Sequence, residues 1–308
     1  MSLVSKYFWV FFLLGLLAGI FIKSSSILSP YILYFLMFAF FLSCLKIKNS
    51  NIIKKIKKPF LIIYLILLIL IIVPTIIYLL VRNFIEFEYA IAILILLAMP
   101  AGMIVPTYAT IFKGDKELAL ILAILTSLLC PITIPALIYL LSGIKTNINF
   151  LNMFTTLSMI IFIPFISAII IKKTSPNFIQ KTKQYYSSIS ILAVTLIIAG
   201  ATAKIDFIPT ISNDISIIPS FTLLFAITFF LYLIGYYIVF NKNKKTKITS
   251  SLAMAYMNSG LAIVFAAEFF TAKTLLLVTL YQIPTTLGII IFGSLIKNNK
   301  HAQQQAHQ

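Results

Sequence analysis

Apolar stretches of about twenty residues recur along the whole chain, parted by short polar or charged breaks. A helix rises about 1.5 Å per residue, so about 20 residues cross a hydrocarbon layer about 30 Å thick. Ten stretches come close to that length: 6–22, 27–46, 59–81, 88–112, 116–142, 149–171, 185–203, 217–240, 248–270 and 273–296. The pattern predicts an all-α membrane protein of about ten transmembrane helices. Lys6 and the apolar run behind it resemble a secretory leader, but no small-x-small cleavage site closes the run, so it reads as a first span. Only Lys113, Gly114 and Asp115 separate spans four and five. Gly suits a helix C-terminus and Asp an N-cap, which predicts a tight turn there. The polar, Gln-rich segment 298–308 is expected to be a disordered tail.

Composition supports this reading. Of 308 residues, 61% are hydrophobic and 10% charged, with a mean hydropathy of +1.08. Soluble domains run nearer half apolar and a quarter charged. The net charge of +17 does not indicate nucleic acid, because the cations cluster between the apolar runs. That is the arrangement of loops facing an anionic leaflet. With ten spans, 19 of the 24 Lys and Arg residues fall on one side together with both termini. Lys23, Arg82, Lys145, Lys204 and Lys273 fall on the other. The bias predicts cytoplasmic termini. Cys44 and Cys130 lie inside apolar runs and suggest neither a disulfide framework nor a metal site.

Ten spans divide into two five-helix halves, 1–142 and 149–297. An odd number per half puts them in opposite orientations, the inverted repeat common among secondary transporters, whose sites lie where helices are interrupted near the midplane. The fourth span of the first half carries Met99-Pro100-Ala101-Gly102 and Pro106; the fourth of the second half carries Met257-Asn258-Ser259-Gly260. Pro removes a backbone donor and Gly permits non-helical geometry, so both spans are expected to break. Candidate substrate-binding residues are Pro100, Ala101, Gly102, Met103, Thr107, Asn258, Ser259 and Gly260. Thr126, Ser127, Thr133 and Gln282 are candidate polar lining, although Ser and Thr in a span also bond back to their own helix. No acidic residue sits at mid-span, and no paired His, P-loop or carboxylate cluster occurs. No enzymatic activity, metal or cofactor is therefore expected.

The segment 99–135 (MPAGMIVPTYATIFKGDKELALILAILTSLLCPITIP), together with Met257 to Ala262 (MNSGLA), resembles the bile acid:sodium symporter family. The resemblance implies a panel domain and a core domain, with spans four and nine crossing at their breaks and an organic anion beside the crossing. It also implies two sodium ions behind the crossing. At the positions matching the family's sodium ligands this chain carries Val105, Pro106, Ala253, Met257 and Ile69. Sodium takes oxygen ligands, which these side chains lack. The expectation is a secondary transporter that moves a small organic anion by alternating access without the family's sodium sites. A sodium-coupled symporter and a non-transporting sensor or structural subunit are the alternatives. Membrane lipid is an expected partner and nucleic acid is not.

Overall fold

The computed structural model describes residues 8–46, 59–142, 149–205, 209, 211 and 214–305. Lys6, the basic stretch Lys48 to Lys58, Lys145, Asp206 and residues 306–308 lie outside the described residues. Among the described residues the chain is helical, with one isolated bridge between Ala101 and Met257 as its only extended pairing.

The helices in chain order begin with α1 (Phe8–Phe21), a 3-10 segment (Lys23–Tyr31) and α2 (Ile32–Lys46). Next, α3 (Pro59–Leu67) runs through a π turn (Leu68–Ile72) into α4 (Val73–Val81). Then come α5 (Phe87–Ala98), α6 (Val105–Ile111), α7 (Lys116–Ser142), α8 (Phe150–Thr174), α9 (Pro176–Thr182) and α10 (Tyr186–Thr202). The chain continues with α11 (Ile217–Tyr237), α12 (Lys244–Ala255), α13 (Ser259–Phe269), α14 (Ala272–Leu280) and α15 (Gln282–Gln305). The last helix thus runs through Gln305, into the segment expected as a tail.

Among the described residues, six helical runs are long and apolar enough to cross a membrane, or seven if the 74° bend between α9 and α10 lies within one span. The other expected spans are short or interrupted: α1 has 14 residues, α5 has 12 and α13 has 11. The chain is an integral, multi-pass membrane protein. Its outer face carries Leu17, Phe21, Ile63, Ile163, Ile166, Ile170 and Leu233, all exposed. Water would not tolerate so continuous an apolar surface, whereas lipid does.

Two packed groups form the body. One joins α1, the 3-10 segment, α2, α8 and α10. The other joins α3 to α7 with α11 to α15. They meet where α7 packs on α8 and where α13 packs on α2 and α10. At the centre of the second group, Tyr89 to Ala98 of α5 are buried without exception. A helix apolar on every side belongs in a core, and this one carries the chain straight to the first break.

The turn after α6 differs in detail from its expected form. Asp115 caps α7, its Oδ1 accepting from Glu117 N and Leu118 N. The positive φ falls on Lys113 (59°), not on Gly114. Gly114 is needed for close approach instead, since a Cβ there would come within 2.8 Å of Thr249 Oγ1. Thr249 ties this turn to α12, accepting from Asp115 N at 2.7 Å. Both cysteines are free and buried, Cys44 at 1% exposure and Cys130 at 0%.

Candidate functional site

The two interrupted spans meet at their breaks. After α5 the chain leaves helical geometry at Met99, whose φ and ψ are extended, and resumes at Val105. Pro106 sits in the first turn of α6, where its missing N–H is no loss. After α12 the chain breaks over Tyr256 to Asn258 and resumes at Ser259. Between the breaks, Gly102 N donates to Tyr256 O at 2.8 Å and Asn258 N donates to Pro100 O at 2.9 Å. The antiparallel Ala101–Met257 bridge lies between these bonds. Each break thereby satisfies part of the other's freed backbone, as an interior shut off from water requires.

Side chains complete the junction. Thr126 Oγ1 accepts from Ala101 N at 3.1 Å and donates to Leu122 O at 2.6 Å. Asn258 caps α13, its Oδ1 accepting from Leu261 N at 3.2 Å. Two consecutive residues at the joint of α14 and α15 grip the second break from both sides. Tyr281 Oη donates to Ala255 O at 2.9 Å, and Gln282 Nε2 donates to Ser259 Oγ. A Cβ on Gly102 would stand 3.2 Å from both the Tyr256 ring and the Tyr256 carbonyl oxygen. At Gly260 the nearest atom would be Leu36 Cδ1 at 3.6 Å. Leu36 belongs to α2, so the second break looks toward the first packed group.

Most of the residues expected at the site converge here. Pro100, Ala101, Gly102, Asn258, Ser259 and Gly260 form the junction, with Met103 half-buried beside it. Thr107 is exposed on α6. Thr126 and Gln282 bond to the junction directly. Ser127 bonds back to Ala123 O at 2.7 Å. Thr133 Oγ1 is buried without a hydrogen-bond partner, further along α7. Tyr281 was not among the expected residues. Its sequence signal is its place next to Gln282 and just before Thr285 and Thr286, a polar patch inside an apolar span.

The positions that the resemblance sets against the family's sodium ligands carry side chains without oxygen. Val105 and Ala253 are 0% exposed, Ile69 and Met257 3%, and Pro106 is also buried. Apolar side chains fill these places. Among the described residues no three His, Cys, Asp or Glu side chains gather at one point.

A second polar centre lies away from the junction, where α5, α11 and α14 begin. Lys273 Nζ sits 2.6 Å from Asp214 Oδ2 and 2.9 Å from Glu86 Oε2. Tyr89 Oη donates to Asp214 at 2.9 Å, and Ser216 Oγ bonds both carboxylates. Burial alone would raise the Asp214 carboxyl, but hydrogen bonds from Lys273, Ser216 and Tyr89 outweigh it and hold the group at about 2. Glu268 is exposed at the end of α13. Between α1 and α10 runs an open groove of about 540 Å³, lined almost wholly by apolar side chains such as Leu14, Phe21 and Leu196.

The sequence profile of the sodium bile acid symporter family matches residues 30–208, more than half of the chain. This protein belongs to the sodium bile acid symporter family. The match takes in α2, the first break and α10, and ends before the second break. No curated relative matches the chain. The family is one of membrane transporters, which agrees with the apolar spans and with a junction of broken helices inside them.

Proposed function

We propose that this family member is a secondary transporter moving a small organic anion by alternating access, without the family's usual sodium sites. The observation that carries the proposal is the junction at Ala101 and Met257, where two broken spans meet inside the membrane body. The start of α13 brings N-terminal partial positive charge to this point, a setting suited to an anionic group. Asn258, Ser259, Thr107 and the backbone near Gly102 to Ile104 would supply hydrogen bonds. The packing supports a ten-span inverted repeat with a panel and a core. The first group draws on the first two expected spans of each half, and the second group on the remaining three. Opening would then move one group against the other around the α2–α13 contact. In this reading both termini lie in the cytoplasm, on the side that carries most of the Lys and Arg residues.

The test is uptake of a panel of labelled organic anions into proteoliposomes by the wild type and by Asn258→Asp. Asp caps a helix as well as Asn does, so α13 keeps its start and the melting temperature changes little. The new negative charge beside the site should lower uptake at least tenfold. Unchanged uptake in Asn258→Asp would remove the junction from the transport path.

The family match favours a second reading, sodium-coupled symport. Uptake driven by an inward sodium gradient, and lost when choline replaces sodium, would establish it in place of the first.

A further inference from the structure

The C-terminal end of a half-helix carries partial negative charge and carbonyls without intrahelical donors. Inside a membrane such ends are where transporters commonly hold a cation. Here the end of α12 is already supplied. Ala255 O accepts from Tyr281 Oη, Tyr256 O from Gly102 N, and Met257 O from Ser259 N. Three successive carbonyls of the break therefore each have a protein donor. On the facing strand, Pro100 O is taken by Asn258 N and Gly102 O by Val105 N. Two of these three break carbonyls are met by backbone amides, which any sequence could offer. The third is met by a side chain from another span, and that side chain is a choice of sequence. Tyr281 is 1% exposed, and its hydroxyl also lies 3.4 Å from Met257 Sδ.

We propose that the Tyr281 hydroxyl takes the place of a bound cation at the end of α12, holding the second break closed by a fixed neutral donor. It rests on reading the junction as the transport site. A sodium ion at Ala255 O would have to share that oxygen with this donor, and the apolar side chains at Ala253 and Met257 offer it no further ligand. Closure of the junction is then independent of external sodium. Tyr281 is a positioning residue that decides ion dependence and need not touch the transported anion.

The test is the melting temperature of detergent-purified wild type and Tyr281→Phe in sodium chloride and in choline chloride at matched ionic strength. A ligand bound only by the folded state raises this temperature by mass action. The wild type should melt at the same temperature in both salts. Tyr281→Phe leaves the Ala255 carbonyl bare and should melt roughly 5 °C lower in choline. Sodium should recover part of that deficit, since the bare carbonyl is then open to a cation. Stabilisation of the wild type by sodium overturns the proposal, and this arm decides even if Tyr281→Phe does not fold. A Tyr281→Phe protein that melts identically in both salts also overturns it. Failure of the anion-carrier reading would appear separately, as absent anion uptake by the wild type, and leaves the salt comparison standing.

Discussion

The two breaks at the centre of this transporter reach the same end by opposite means. The first is written into its own covalent chemistry. Pro100 and Pro106 deny the helix its donors, a Cβ on Gly102 would crowd Tyr256 at 3.2 Å, and Thr126 bonds the break from a neighbouring helix. The second, from Tyr256 to Asn258, contains neither Pro nor Gly. It is capped by Asn258 and gripped by Tyr281 and Gln282 from the neighbouring span. One break is thus set locally and the other by its neighbours. A locally set break keeps its shape while the surroundings move. A break held from a neighbouring span changes when that span shifts, so the second is the better placed to respond to transport motion.

The largest effect that tests this contrast is at glycine. Gly102→Val should destabilise the protein by about 3 kcal/mol, because the added groups meet the Tyr256 ring and the Tyr256 and Met257 carbonyls at once. Gly260→Ala should change stability by less than about 0.5 kcal/mol, since its Cβ meets nothing within 3.4 Å. Thermal melts in detergent measure both, and equal losses would erase the distinction between the breaks. Thr126→Val is next. It leaves Ala101 N buried without an acceptor and should cost about 2 kcal/mol in the same assay.

The smallest effect lies at the far end of α5, which the cluster around Asp214 anchors. The Asp214 carboxyl is held down, from 3.8 to about 2. A depressed carboxylate stabilises the fold fully above its unfolded value and loses that contribution as pH falls through its folded value. Wild-type melting temperature should therefore hold down to about pH 4 and fall between there and pH 2, by more than in Asp214→Asn. Parallel curves for the two proteins would show that the cluster does not anchor the span.

The same contrast explains what could be read from the sequence. Pro100, Gly102 and Pro106 act through local rules, and the first break followed from them directly. Asn258 marked the second break because an amide before a helix is an effective cap. Tyr281, which bonds Ala255 O at the same break, lies more than twenty residues along the chain and is an ordinary aromatic residue by composition, so only packing reveals what it does. Residues 27–31 do belong to span two, since Lys23–Lys46 is one run long enough to cross a membrane, and only their 3-10 geometry, which goes with Pro30, was not legible in the apolar count. Lys113 adopts the left-handed conformation that Gly114 would take more easily, because Gly114 is committed to its approach to Thr249. At this turn tertiary contact overrides local preference.

The two thiols have a practical consequence. Cys44 and Cys130 are the only cysteines in the chain, and both are shielded in the folded protein. The native protein should therefore stay unlabelled by water-soluble maleimides without any engineered removal. A single cysteine introduced at Met103 or Thr107 becomes a clean reporter of water access. Its labelling from either face of the membrane would record directly which way the junction opens.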